Sequence, residues 1–170
     1  MKKKPSNRKE ALEMENRRKR NIKLPPEDRL QASIITAYYD KYPERENDLI
    51  GYDANASNGR DGARKQAMGT RPKVSDLMWF KDHVCHGLEV KTTYKVHDAE
   101  HVLGQAKFII EKCGHGAFIT SLEMFWDYVE GRDIGIPAQF VKDYILRTGV
   151  KTVLFSNVLK EWEDGRKRND

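Results

Sequence analysis

Asp76 is followed thirteen residues later by the triplet Glu89-Val90-Lys91. Two short apolar runs, Leu77 to Phe80 and Leu88 to Val90, flank the polar, Gly-closed stretch Lys81 to Gly87. Apolar runs separated by such a stretch predict a β-hairpin, here over residues 74–94. Side chains alternate faces along a strand, so Glu89 and Lys91 project from one face and Leu88 and Val90 from the other. Pairing Asp76 opposite Lys91 places Leu77 opposite Val90 and Trp79 opposite Leu88. Asp76, Glu89 and Lys91 then gather on the polar face. Two carboxylates and an amine converging there suit a hard divalent cation with an adjacent water.

Composition bounds what such a hairpin can belong to. The chain has 170 residues, of which 34% are charged and 38% hydrophobic. That supports one domain with a modest core and charged tails. The net charge of +5 and pI near 9.1 point to a polyanionic partner. Residues 2–23 hold ten Lys or Arg against three Glu and few large apolar side chains, so they read as a solvated basic arm. No apolar run reaches the length of a membrane span, and no signal-peptide core is present, so no membrane partner is expected. Cys85 and Cys113 are the only cysteines, a number that fits a reducing interior better than a disulfide scaffold. The expected compartment is the cytoplasm of a bacterium, or of a host cell carrying a phage.

The remaining segments order themselves around the hairpin. Pro25-Pro26 closes the arm at residue 24, and proline is tolerated in a first helical turn, so a helix is expected from Pro26. Its stripe is Leu30, Ile34, Ala37 and Tyr38, with Glu27 and Gln31 one turn apart on a neighbouring strip. Residues 51–73 are rich in glycine and carry Arg60, Arg64, Lys65, Arg71 and Lys73. Long loops inside domains are often functional, and these cations are expected to contact nucleic-acid phosphates. Asp98 reads as the N-cap of a helix ending at Gly114, with the stripe Ala99, Val102, Leu103, Ala106, Ile109, Ile110 and Cys113. Gln105 is read just off that stripe. A buried strand over Ala117–Thr120 should follow. Helices are expected around Phe125–Val129 and over Ala138–Arg147. A last strand, Thr152–Phe155, leads to a short helix through Leu159 and Trp162, and residues 161–170 read as a charged tail.

This order of signals resembles the PD-(D/E)XK nuclease superfamily and is most similar to its VRR-NUC group, the virus-type replication and repair nucleases. The residues that carry the resemblance are Glu27-x-x-x-Gln31, the Gly/Asn/Arg-rich loop leading to Asp76-Leu77, Glu89-Val90-Lys91, and the helix with Gln105. They span residues 26–121, within an expected domain of residues 25–160. The resemblance implies an α/β fold with a restriction-endonuclease-like core, a central mixed sheet flanked by helices. It implies that Asp76, Glu89 and the Val90 carbonyl bind Mg²⁺, with Mn²⁺ able to substitute. Lys91 would orient the attacking water or steady developing charge. Glu27 would be the first-helix acid that can hold a second metal, and Gln105 a polar support for the site. The implied activity is hydrolysis of DNA phosphodiester bonds, on branched or linear DNA, with pairing into a homodimer as one way to cut two strands. Ser75 departs from the family pattern, which has proline there.

Other readings stay open at this level. Asp76, Glu89 and Lys91 taken alone describe a mixed-charge strand face. Glu27 alone is an acid favoured by a helix dipole, and Gln105 alone a solvated helix edge. A restriction-type endonuclease on the same fold, or a noncatalytic nucleic-acid-binding protein, would share most of these features. Cys85-His86 and Cys113 with His115 could in principle bind zinc, but a core cysteine and turn histidines explain them more simply.

Overall fold

Pro26 fixes a backbone angle suited to a first helical turn, and helix α1 runs Pro26–Lys41. Glu27 and Asp28 lie at its positive end and Lys41 at its negative end, as the helix dipole favours. This is a computed structural model, described over residues 24–52, 73–132 and 135–168. The arm of residues 2–23, most of the Gly-rich loop and its cations Arg60, Arg64, Lys65 and Arg71 lie outside the described residues. Along α1, Ile34 and Tyr38 are buried, whereas Leu30 and Ala37 reach only the margin of the core.

A 3₁₀ turn at Pro43–Asp48 leads into strand β1 (Leu49–Gly51). The hairpin follows as β2 (Leu77–Lys81) and β3 (Val84–Val90). Its register differs from expectation: Leu77 pairs with Leu88 and Trp79 with His86. The turn is only Asp82-His83, both with positive φ (50° and 66°), the backbone of a tight two-residue hairpin. Asp and His tolerate that region better than most residues, so the turn forms without the usual glycine. Cys85 and His86 consequently lie in a strand and not in a turn. The register moves by two residues, and a shift of two preserves the faces. Asp76 therefore stands across from Glu89 and not from Lys91.

After β4 (Val96–Asp98), Asp98 caps helix α2 (Ala99–Phe108) by accepting from the His101 backbone N–H at 2.8 Å. The helix ends in a π turn, Ile109–Cys113, closed by Gly114 at φ 73°. Strand β5 (His115–Ile119) then lies parallel to β3, completing a strand-helix-strand crossover. Ser121 caps α3 (Leu122–Glu130). The two-residue strand β6 (Ile136–Pro137), α4 (Ala138–Thr148), β7 (Thr152–Leu154) and α5 (Phe155–Arg166) finish the chain. Helix α5 thus extends well into the stretch expected to be a tail.

The central sheet is mixed, in the order β1-β2-β3-β5-β6, and β4 pairs with β7 in a separate ribbon. Each face is covered by helices. Leu77, Trp79, Leu88, Val90, Ala117 and Ile119 pack with Ile34 and Tyr38 of α1 and Phe125 of α3. On the opposite face Phe118 and Ile136 pack with α2, α4 and α5 through Val102, Ile109, Val141, Ile145, Phe155 and Val158. This is an α/β architecture with a mixed sheet between helical layers. No described helix is long and apolar enough to cross a membrane.

Candidate active site

The hairpin supplies the centre of the site. Asp76 precedes β2, and its backbone is held from two sides. Its carbonyl accepts from the Tyr52 N–H at 2.8 Å and from Gln31 Nε2 of α1 at 3.1 Å. Its carboxylate Oδ2 accepts from the Val90 N–H at 3.0 Å, which ties the acid to β3. Glu89 is 0% exposed. Its Oε1 accepts from Lys91 Nζ at 2.6 Å and from Gln105 Nε2. Lys91 is itself buried, and its backbone N–H continues the ladder to Ile119 O at 3.0 Å.

Gln105 is therefore not a solvated helix edge. Val102, Gln105, Ala106 and Ile109 are spaced 0, 3, 4 and 7 along α2 and into its π turn, and all are buried. A polar residue at a stripe position was the sign that it has a buried partner. The helix holds it over the sheet face that bears Glu89.

Electrostatics within the pair follow from burial. Desolvation and the neighbouring Asp76 charge push the Glu89 carboxyl well above the ordinary carboxylate range, and Lys91 offsets this only in part. For Lys91, burial opposes the charge, but Glu89, Asp76 and Glu27 outweigh it and hold the ammonium more firmly protonated. A charged Lys91 thus lies beside a Glu89 carboxyl that is held toward its neutral form. Among the described residues, Glu89 Oε2, Gln105 Oε1, Ser75 Oγ and Thr92 Oγ1 are buried without a hydrogen-bond partner.

Glu27 sits to one side of this centre. Its Oε1 accepts from the Thr92 N–H at 3.4 Å and lies 3.1 Å from His97 Nε2. Its Oε2 accepts from Lys95 Nζ at 2.8 Å. Burial resists ionisation here, but the contacts with His97 and Lys95 and the charge of Lys91 win, and the carboxyl falls to about 2. Lys95 and His97 could not be paired with Glu27 from sequence, because nothing local links positions so far apart. The arrangement fastens α1 to the segment that leaves β3.

The lowered Glu27 carboxyl makes a stability prediction. A depressed folded pKa contributes stability above the unfolded value, near 4.5, which is lost as pH falls toward about 2. Glu27→Gln should remove on the order of 1–2 kcal/mol at pH 7 after allowing for solvent screening, because the group is half-buried. Urea unfolding of both proteins should converge as pH drops from 4.5 to about 2. A constant gap across that window would mean that Glu27 contributes packing and not charge.

Oxygen donors dominate the centre. Asp76 and Glu89 supply two carboxylates and Val90 ends the strand between them, but no three His, Cys, Asp or Glu side chains converge among the described residues. A hard cation with a sparse protein shell fits this donor set, because Glu89 Oε2 is buried with no donor on it and the Asp76 carboxyl lies close to the Glu89 carboxyl. The zinc alternative does not fit. His86 and His115 share one sheet face with Trp79 and Tyr128, where His86 Nδ1 lies 2.8 Å from the Tyr128 hydroxyl. Cys85 occupies the other face, and burial with the neighbouring Cys85 raises the Cys113 thiol to about 11. Of the five expected phosphate-binding cations, only Lys73 is described, and its side chain packs against Gly104 of α2. No protein-family model, curated protein or solved structure matches this chain.

Proposed function

We propose that the chain is a metal-dependent nuclease that hydrolyses DNA phosphodiester bonds, on a restriction-endonuclease-like core of the VRR-NUC type. The observation that carries this reading is the convergence of Asp76, Glu89 and Lys91 on one sheet face, with a fully buried Glu89 oxygen unpartnered among the described residues. A stable mixed-charge surface does not need a buried, half-satisfied carboxylate, and such groups cluster at functional sites.

Asp76, Glu89 and the Val90 carbonyl would hold Mg²⁺ or Mn²⁺. When bound, the ion neutralises phosphate charge and lowers the pKa of a coordinated water. The chain's own residues do the positioning. Gln105 and Lys91 both donate to Glu89 Oε1, which turns its other oxygen free. Lys91, held charged, presents its ammonium where negative charge develops on the phosphorus oxygens. Both oxygens of Glu27 are occupied by Thr92, Lys95 and His97, which favours a single-metal site over one in which Glu27 holds a second ion.

Cleavage of a panel of branched and linear DNAs with Mg²⁺, beside an Asp76→Ala control, tests the proposal. A restriction-type enzyme would cut only particular linear sequences. A noncatalytic binder would cut nothing and gain nothing from Mg²⁺, and that outcome would overturn the reading.

The basic arm gives a separate expectation. Each of its ten cations that sits on a phosphate releases counterions, so binding should weaken steeply with salt. A chain starting at Leu24 should bind more weakly, show a flatter salt dependence and still cleave at low salt. An unchanged slope would show that the arm does not touch nucleic acid.

A further inference from the structure

Helix α2 carries a glycine in its interior, Gly104, between Leu103 and Gln105. A mid-helix glycine is unfavourable relative to alanine, so its presence calls for a reason in the packing. The side chain of Lys73 lies against that position. A Cβ at residue 104 would lie 2.3 Å from Lys73 Cδ, 2.9 Å from Cε and 3.1 Å from Nζ. The lysine stem thus lies across the bare helix backbone. Lys73 itself has a left-handed backbone (φ 70°) three residues before Asp76.

Residues 101, 104 and 105 share one face of α2, because positions three and four apart are neighbours. Gln105 on that face reaches Glu89. His101 sits one turn before Gln105 and is exposed at the rim. Partial desolvation of its ring by the neighbouring chain and the charges of Lys91 and Lys73 lower the His101 imidazole, while Asp98 and Asp76 oppose this. His101 therefore lies within electrostatic reach of both Lys73 and the carboxylate centre.

We propose that Lys73, laid across Gly104 and beside His101, forms a built phosphate site at the mouth of the Asp76–Glu89 centre, which holds a DNA phosphate next to the one being cleaved. This rests on the nuclease reading and goes beyond it, by assigning His101 and Gly104 roles in substrate placement. Lys73 supplies the charge and the His101 ring a directional donor. Gly104 leaves the room that brings the two together. Such a contact positions the strand and carries no sequence information.

The test uses the full chain and a fluorescent short duplex, with binding read without divalent metal and cleavage read with Mg²⁺. Lys73→Met keeps the stem and removes the charge. It should weaken binding about fivefold to tenfold at 0.1 M salt and reduce the log–log salt slope by about one. Gly104→Ala should do the same although Lys73 remains, because the methyl group displaces the stem. Its Tm should equal or exceed that of the parent, since alanine favours the helix. His101→Ala should weaken binding with little change in rate at saturating DNA. Unchanged affinity and slope in Gly104→Ala would overturn the site, as would a loss of rate without loss of affinity, which would mean that the methyl group disturbs Gln105. Failure of the parent chain to cleave, with these binding effects intact, would sink the nuclease reading and leave the phosphate site standing. Cleavage with unchanged slopes would do the reverse.

Discussion

Replacing Lys91 with alanine should lower the cleavage rate at least a hundredfold and leave DNA affinity within about threefold, a loss of roughly 3 kcal/mol confined to the transition state. The asymmetry follows from where the ammonium lies. Lys91 is buried against Glu89 at 2.6 Å, too deep to act as a general contact for backbone phosphates. On the proposed nuclease reading, its value is greatest when charge develops on a reacting phosphate beside a buried site. Single-turnover cleavage and equilibrium binding separate the two effects. Equal losses in both would make Lys91 a phosphate contact instead.

The same substitution has a consequence for stability with a definite sign. Glu89 already carries a raised pKa, from burial and from Asp76. Removing Lys91 takes away its only compensating charge in the pair, so the folded carboxyl should hold its proton still more tightly. A raised acid favours the fold below the unfolded pKa, and that advantage is lost as pH rises through the folded value. Lys91→Ala should therefore be close to the parent in stability under mildly acid conditions and fall behind it toward alkaline pH. Unfolding at two pH values distinguishes this from a simple packing loss, which would be the same at both.

Phe118→Ala should cost about 3–5 kcal/mol, the largest stability change expected from a single substitution outside the site. Phe118 is fully buried and pairs in register with Glu89 across the parallel strands. Its ring stacks on Phe155 with centroids 5.3 Å apart and planes 27° from parallel. It thus joins the sheet to α5 and walls the space next to the carboxylate. The close-packed interior leaves little freedom to refill the gap. Phe118→Leu should cost under half as much, because most of the volume stays. Denaturant unfolding provides the measurement, and a loss below about 1 kcal/mol for the alanine variant would show that the α5 layer contributes little to this core.

Much of the local architecture was legible in the residues. Pro26, Asp98 and Gly114 marked helix ends because capping chemistry is local. The apolar stripes marked buried faces of helices because their period is local too. The division of Glu89 and Lys91 from Leu88 and Val90 depended only on strand alternation. It therefore survived a two-residue change in register that altered every cross-strand partner.

What the residues could not settle was decided by contacts between distant segments. The two-residue turn at Asp82-His83 forms because the flanking strands pair there, and neither residue announces it as glycine would. Gln105 meets Glu89 only once the crossover helix lies on the sheet. Glu27 is bound by Lys95 and His97 only once α1 packs beside the strand's exit. Alternation and capping act over a few residues and can be read along the chain. Burial, and with it the raised carboxyl of Glu89 and the lowered carboxyl of Glu27, comes from the three-dimensional closure of layers that sequence spacing alone does not specify.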